Sequence, residues 1–291
     1  MIYGDRSTRI LVQGATGNQG AFHIDLMNRY AREVGGAGVV AGVTPGKAGQ
    51  EVHGVFVYDT VREAQAVHDT NASVIFVPAG AASDSIMEAA DAGIETIVAI
   101  TEHIPVHDVM RAVAYARSCG SVVIGPNCPG LLSPGECKLG IMPSPLFTRG
   151  PVGVISRSGT LTYEVVDELT RAGIGQSTVI GIGGDPVIGE TFVDCIKRFK
   201  QDPDTRAVVL IGEVGGALEI EGAETAISCD IPLVAYIAGV SAPEEKRMGH
   251  AGAIIEGGEG DALSKIRRLE SMGVTIAERP SEIPQKIAEL L

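Results

Sequence analysis

The chain has 291 residues and a formal net charge of −13 at pH 7, with an isoelectric point near 4.9. This charge repels a phosphate backbone, and no basic stripe with interleaved aromatic residues offsets it, which argues against a nucleic-acid partner. Apolar residues make up 45% of the chain and aromatic residues only 4%. The core must therefore be aliphatic, as is typical of buried parallel strands.

The sequence also argues against a membrane protein and against a metal-binding protein. No apolar run approaches the roughly 18 to 20 residues that span a bilayer, and we expect a cytoplasmic protein without a signal peptide or membrane anchor. The five cysteines form no Cys-x-x-Cys pair and are predicted to be free thiols. The six histidines form no mixed cysteine–histidine motif, so no metal site is expected from this chain alone.

Short apolar runs alternate with amphipathic stretches in the first half, as in β-α units around a parallel sheet. The predicted strands cover residues 10–13, 39–43, 73–78, 96–100 and 121–125. The predicted helices cover residues 20–34, 60–68, 81–92 and 106–119.

Proline and glycine are frequent in residues 126–151, which indicates a linker. A second β-α series follows, with predicted strands at 152–156, 177–182, 207–212, 233–237 and 275–277. We therefore predict an α/β protein of two doubly wound domains. The first is a Rossmann-like domain over residues 1–145, and the second is a flavodoxin-like domain over residues 146–291.

The first strand runs into a glycine-x-x-glycine-x-x-glycine turn over residues 14–20, which contains Thr16, Gly17, Asn18 and Gln19. Such a turn binds a diphosphate through helix-start amides, although glycine-rich turns also serve as plain connectors. The second strand ends without the acidic residue that nicotinamide-binding folds use, and Lys47 follows instead. Lys47 favours a ligand with an additional phosphate: coenzyme A fits best and NADP fits partly. A solvated lysine is the alternative.

The fourth strand ends at Ile100, Thr101 and Glu102, at the sheet edge where open α/β folds bind ligands. Thr101 and Glu102 could contact the same cofactor, and Glu102 could equally favour a helix start through its charge. Cys128 could lie near a thioester or be a small buried thiol.

In the second half, residues 156–160 form a strand, a small-residue turn and a helix start. The hydroxyls of Ser158 and Thr160 and the amides of Gly159 and Thr160 could surround a phosphate, whereas an ordinary serine or threonine helix cap is the alternative. A nucleophile elbow of the Gly-x-Ser-x-Gly type is excluded by the residues themselves.

His250 stands between Gly249 and Gly252, which lets the backbone come close to a ligand. Glu213 follows a predicted strand, where its carboxylate could accept a hydrogen bond from His250 and fix the tautomer of the ring. Many loop histidines have no such role, so both interpretations stand on the local pattern.

Taken together, five motifs resemble the α subunit of succinate–CoA ligase over essentially the whole chain. They are Thr44-Pro45-Gly46-Lys47, Gly125-Pro126-Asn127-Cys128-Pro129-Gly130, Ser156-Arg157-Ser158-Gly159-Thr160-Leu161-Thr162-Tyr163-Glu164, Gly181-Ile182-Gly183-Gly184-Asp185 and Lys246-Arg247-Met248-Gly249-His250-Ala251-Gly252-Ala253.

The resemblance implies that the first domain holds coenzyme A and that the second carries a phosphorylated His250. The implied coenzyme A residues are Thr16, Gly17, Asn18, Gln19, Lys47, Ile100, Thr101 and Glu102. Glu213 would orient His250, Ser158 and Gly159 would hold phosphate, and Tyr163 would lie near the acid substrate.

The implied reaction is the reversible conversion of succinyl-CoA, a nucleoside diphosphate and phosphate to succinate, coenzyme A and a nucleoside triphosphate. It passes through succinyl phosphate and phosphohistidine. The chain has no P-loop or kinase signature, and in the family a β subunit supplies Mg²⁺ with ADP/ATP or GDP/GTP in an αβ or α₂β₂ complex. A related acyl-CoA synthetase for acetate, malate or citrate, an NADP-dependent oxidoreductase and a non-catalytic coenzyme A-binding module are the alternatives.

Overall fold

Two largely parallel β-sheets organise the protein, one in each of two compact units. The computed structural model describes residues 2–240, 250, 252–253 and 261–291. The N-terminal unit comprises Tyr3–Ser144 and Val187–Gly189. The C-terminal unit comprises Pro145–Pro186 and the described part of Glu190–Leu291, together with Ile2.

The sheet of the N-terminal unit has the strand order β3-β4-β2-β1-β5-β6-β7, in which only the β3–β4 pair is antiparallel. Its strands are β1 (Arg9–Gln13), β2 (Gly38–Val43), β3 (Glu51–Val52), β4 (Val55–Tyr58), β5 (Ala72–Ile75), β6 (Thr96–Ala99) and β7 (Val122–Ile124). Its helices are α1 (Asn18–Val34), α2 (Val61–Gln65), α3 (Ala79–Asp91) and α4 (Val106–Ser118). Every residue of β5 and β6 is buried, because apolar faces of α2, α3 and α4 pack into the same core.

The predicted linker is partly wrong, because it contains two strands, β8 (Gly130–Ser133) and β9 (Cys137–Gly140). They pair antiparallel, with Leu131 opposite Leu139. Both leucines are fully buried, so aliphatic residues between the glycines were sufficient to form a strand pair. Because proline and glycine are frequent at the turns, the composition of this segment predicted a linker and not a strand pair.

The C-terminal unit contains five parallel strands in the order β14-β13-β12-β10-β11. They are β10 (Arg149–Ser156), β11 (Gln176–Gly181), β12 (Ala207–Gly212), β13 (Leu233–Ile237) and β14 (Thr275–Ile276). The helices are α5 (Gly159–Arg171), α6 (Phe192–Gln201), α7 (Leu218–Ser228), α8 (Ala262–Ser271) and α9 (Ile283–Ala288). Short 3-10 turns span Ser144–Leu146 and Pro280–Glu282.

The predicted fold class, two doubly wound α/β domains in series, is confirmed. Each predicted strand and each predicted first-half helix is present, with ends that differ by at most three residues. The short β3–β4 pair was not predicted, because residues 44–60 resemble one long turn. None of the helices in the described ranges is both long enough and apolar enough to cross a membrane.

Each sheet changes winding direction at its central strand. The chain runs from β1 to β2 on one side of β1 and later returns to β5 on the other side. It likewise runs from β10 to β11 and returns to β12. At such a switch point the connecting loops diverge and leave a crevice at the carboxyl ends of the strands, where ligands bind.

Gly20 is where α1 approaches the turn after β1 most closely. A Cβ atom at this position would lie 2.2 Å from the carbonyl oxygen of Gly14, a backbone atom that cannot move aside. We expect Gly20→Ala to lower the free energy of unfolding by about 2 kcal/mol, in the range of overpacked cores. Urea denaturation of the purified protein measures this change.

The matched control is Gly80→Ala in the first turn of α3, where an added Cβ meets nothing within 4 Å. This variant should be neutral or slightly stabilising, since alanine is the better helix former. Equal unfolding free energies for the two variants would contradict the proposed contact.

Candidate functional site

A cleft of about 510 Å³ opens at the switch point of the N-terminal sheet. Its walls come from the turns after three neighbouring strands. Thr16 lies in the turn after β1, Thr44 and Pro45 follow β2, and Val77 and Pro78 follow β5. The cleft is therefore built from consecutive carboxyl ends of parallel strands, as expected for this fold.

Two glycines shape the wall made by the first turn. Gly14 has a φ of 81°, and Gly20 leaves room only for a hydrogen atom beside the Gly14 carbonyl. Helix α1 begins at Asn18 with no acidic residue in its first turn and no side-chain cap at Gly17. The amides at a helix start lack intrahelical partners and carry partial positive charge, which suits an anionic group in the cleft.

Four of the predicted coenzyme A residues line this cleft, namely Thr16, Gly17, Asn18 and Gln19. The Thr16 amide donates to the Thr44 hydroxyl at 3.2 Å, which joins two of the cleft-lining turns. The cleft therefore gathers the whole predicted glycine turn at one place.

The other four predicted coenzyme A residues are not among those that line the cleft. Lys47 is exposed two residues beyond the cleft-lining Pro45, and its amide donates to Asp59 Oδ1 at 3.0 Å. Ile100, Thr101 and Glu102 follow β6. The Thr101 hydroxyl donates to the carbonyl of Val77, a cleft residue, at 2.7 Å, whereas the Glu102 side chain is exposed. Cys128 is buried and donates to the Ala99 carbonyl.

The predicted phosphate residues lie at the corresponding edge of the C-terminal sheet. Ser158 caps α5, with its hydroxyl accepting from the Leu161 amide at 3.3 Å, and Gly159 is the first residue of this helix. Tyr163 lies in the same helix and is half-buried. Backbone amides at the start of a helix such as α5 can bind an anion.

His250 and Glu213 are in direct contact. His250 Nδ1 lies 2.7 Å from Glu213 Oε2, and Glu213 directly follows β12. Because an ionised carboxylate can only accept, Nδ1 carries the proton. The neutral ring then has its lone pair on Nε2, the nitrogen that can act as a nucleophile.

Two glycines leave space for the imidazole. A Cβ at Gly184 would lie 2.3 Å from His250 Cγ, so this residue packs its backbone against the ring. The Gly252 amide donates to the Gly184 carbonyl at 3.0 Å, and a Cβ at Gly252 would lie 2.5 Å from Arg157 Nη2. Residues 241–249 and 251, which include the predicted Gly249, lie outside the described residues.

A buried group of four charged residues, here called the charge cluster, surrounds the Glu213 side of this contact. It comprises Arg157, Glu213, Glu219 and Lys265, which are between 0% and 7% exposed. Arg157 Nη2 lies 3.5 Å from Glu213 Oε1, and its Nη1 lies 3.4 Å from Glu219 Oε1. Lys265 Nζ contacts Glu219 Oε2 at 2.6 Å. Two positive and two negative charges make the cluster neutral.

Glu219, Lys265 and Arg157 have no role that was predicted from the sequence. A signal was nevertheless present, because Lys265 shares one helical face with Ala262 and Leu269, and all three are buried. Charged residues at positions of an apolar stripe are almost never buried unless they are paired. The sequence could therefore have indicated that Lys265 is buried and paired, but not that Glu219 is its partner.

The pKa of His250 is raised above its usual value of 6.5, chiefly by the hydrogen bond to Glu213. Burial and the charge of Arg157 oppose this rise, whereas the carboxylates of Glu213 and Asp185 add to it. A raised pKa means that the charged contact stabilises the fold fully below pH 6.5, and this stabilisation is lost as the pH rises through the folded pKa.

Both units match known families. Residues 5–103 match the family model of a CoA binding domain, and residues 155–275 match that of CoA-ligase. The chain is 54% identical over 287 residues to succinate–CoA ligase (ADP-forming) subunit alpha 2 of Archaeoglobus fulgidus, covering 99% of this chain and 98% of that protein. It is also 54% identical over 287 residues to the alpha subunit of the same ligase from Methanothermobacter thermautotrophicus, covering 99% and 96%.

Among solved structures, ATP citrate lyase from Methanothrix soehngenii, determined with citrate and coenzyme A, matches with a TM-score of 0.89 at 22% identity. The match covers all of this chain and 50% of the lyase chain. This chain thus spans half the length of that protein, and the likeness is one of fold.

Replacing Glu213 by glutamine tests the electrostatic origin of the raised pKa. Glu213→Gln keeps an oxygen near Nδ1 but removes the negative charge, so the pKa of His250 should fall to or below its usual value. An NMR titration of the histidine ring measures the change.

Glu221→Gln is the matched control, because this glutamate is exposed on α7 and the net charge changes equally. The control should leave the titration of His250 unchanged. A wild-type titration curve for Glu213→Gln would mean that the contact does not set the pKa.

Proposed function

The chain belongs to the family of succinate–CoA ligase α subunits, and from this premise we propose that it acts with a β subunit in the reversible ligase reaction. This reaction converts succinyl-CoA, a nucleoside diphosphate and phosphate to succinate, coenzyme A and a nucleoside triphosphate. Because both relatives are named ADP-forming, we propose ADP as the diphosphate. The observation that carries the proposal is the hydrogen bond between His250 Nδ1 and Glu213 Oε2.

This hydrogen bond supports His250 as the residue that is phosphorylated. Nε2 attacks the phosphorus of an acyl phosphate, an N–P bond forms, and the P–O bond to the acyl group breaks. Succinate leaves with the electron pair of that bond, so the step is balanced without a further reactant. Glu213 holds the proton on Nδ1 and stabilises the positive charge that develops on the ring.

Ser158, Gly159 and the start of α5 are proposed to hold the transferred phosphate. Backbone amides at a helix start bind an anion without a net positive charge on the protein. This suits a chain with a net charge of −13. Tyr163, in the same helix, is proposed to lie near the acid substrate.

Coenzyme A binding in the N-terminal unit is supported by the matched CoA binding domain and by the shape of the cleft. Gly14 and Gly20 add no side chain to the cleft wall, and the start of α1 offers amides to a diphosphate. Thr16, Gly17, Asn18 and Gln19 would contact the diphosphate part. Lys47 is proposed to bind an additional phosphate, and Ile100, Thr101 and Glu102 to complete the site beside β6.

The nucleotide and Mg²⁺ are proposed to bind to the β subunit. The sequence contains no P-loop, and the curated relatives are named as α subunits, which supports a partner chain. An αβ pair or an α₂β₂ assembly would bring a nucleotide to phosphorylated His250.

The variant His250→Asn tests the central step. Asparagine is polar and of similar size but cannot accept a phosphoryl group on a ring nitrogen, so ATP formation should fall at least about 10⁴-fold. ATP formation is measured with succinyl-CoA, ADP and phosphate. Phosphorylation of His250 is measured as acid-labile, base-stable phosphoprotein after incubation of the assembled complex with ATP labelled on its γ-phosphate.

His107→Asn is the control, since His107 is exposed on α4. This variant should be labelled like the wild type, and both variants should bind coenzyme A normally. Wild-type ATP formation by His250→Asn would end the proposal.

Lys47→Glu tests the additional phosphate contact. Reversing this exposed charge should weaken coenzyme A binding about tenfold, with labelling of His250 by ATP unchanged. Calorimetric titration with coenzyme A measures the affinity. Lys197→Glu on α6, also exposed, changes the net charge equally and should bind normally. Equal affinities of the two variants would exclude Lys47 from the site.

A further inference from the structure

Glu213 is held from three sides by residues outside its own strand. Its amide donates to Glu219 Oε1 at 3.2 Å, and its carbonyl accepts from Lys265 Nζ at 2.8 Å. Its carboxylate lies between Arg157 and His250. Oε1 of this buried carboxylate accepts no hydrogen bond from any residue that the structure describes. The direction of the carboxylate therefore depends on Arg157, on His250 and on how firmly the Glu213 backbone is fixed.

Lys265 fixes the backbone of the turn after β12. Its ammonium group has three protons, and it makes three short contacts, to the Glu213 carbonyl, to the Gly215 carbonyl at 2.7 Å and to Glu219 Oε2 at 2.6 Å. One cation from α8 thus holds two carbonyls of the turn that begins with Glu213.

Glu219 connects the remaining members of the cluster. Its Oε1 receives the Glu213 amide and Arg157 Nη1, while its Oε2 receives Lys265. The side chain is fully buried, and a Cβ at Gly212 would lie 2.3 Å from its Cγ, so it has little freedom to move. The buried pair of Glu219 and Lys265 is costly to desolvate, and such pairs are retained where they fix a specific geometry.

We propose that Lys265 and Glu219 are positioning residues for phosphoryl transfer at His250. They hold Glu213 so that Oε2 keeps the proton on Nδ1 and the lone pair stays on Nε2. This inference rests on the proposed function of His250, and it assigns a reaction-specific role to two residues that touch neither the histidine nor the substrate.

The experiment compares Lys265→Met, Lys265→Arg and Lys197→Met. Methionine matches the lysine stem but lacks the charge, arginine restores the charge in a bulkier shape, and Lys197 is an exposed control. With the β subunit present, Lys265→Met should slow labelling of His250 by ATP about 100-fold, in the range of a misplacement of about 1 Å. Lys265→Arg should recover at least about tenfold of this loss, and Lys197→Met should match the wild type.

The second readout is the tautomer of His250, measured by nitrogen NMR of the full chain with labelled histidine. The His250 signal is assigned by its loss in His250→Asn. At a pH above the folded pKa of His250, wild-type protein should show protonated Nδ1 alone, and Lys265→Met should show a mixture of tautomers. Urea denaturation of the full chain serves as the measure of correct folding, because Lys265 lies in the C-terminal unit and coenzyme A affinity reports only on the N-terminal unit.

A folded Lys265→Met with wild-type labelling and a single tautomer would overturn the inference. The inference would also be overturned if Lys265→Met were labelled by ATP at least as fast as Lys265→Arg. The charge of Lys265 would then have no part in positioning Glu213. If Lys265→Met does not fold, Glu219→Gln decides: slow labelling and mixed tautomers support the inference, and wild-type values reject it. The tautomer measurement requires no turnover, so it separates failure of this inference from failure of the proposed function, which His250→Asn tests.

Discussion

The hydrogen bond from His250 Nδ1 to Glu213 Oε2 is the interaction on which the proposed chemistry of the C-terminal unit depends. It determines which ring nitrogen carries the proton, and it raises the pKa of the ring. The contact needs a glycine at position 184, because any larger residue would occupy the place of the imidazole. The end of β12, the glycines at positions 184 and 252 and the buried charge cluster all lie around this one contact of 2.7 Å.

Both units place anion-binding groups at the same point of a doubly wound sheet. In each, the central strand leads into a small-residue turn and then a helix start, α1 in one unit and α5 in the other. Helix-start amides attract an anion locally, so a strongly acidic chain can bind phosphorylated ligands without a basic surface. The net charge of −13 disfavours a nucleic-acid partner more strongly than it disfavours a single phosphate.

The contact between Glu213 and His250 was one of two interpretations that the local pattern allowed, and only the resemblance to the ligase family favoured it. The sequence was sufficient to predict the strands and the two successive doubly wound folds, because hydrophobic period and strand-end glycines are local signals. It did not reveal the strand pair β8–β9, whose leucines stand among turn residues. Nor did it reveal that Lys265 meets the turn after β12, since a contact between residues 52 positions apart leaves no trace in periodicity. A local sequence pattern can indicate that a residue is unusual, but its contact partner becomes known only from the structure.

The neutrality of the charge cluster has an energetic consequence for the proposed intermediate. Two cations already balance two carboxylates beside His250, so a phosphoryl group, which brings nearly two negative charges, finds no unpaired cation within the cluster. It would also lie near the buried anion of Glu213. In the proposed intermediate, repulsion of this kind would raise the group-transfer potential of the N–P bond and so favour onward transfer of the phosphoryl group.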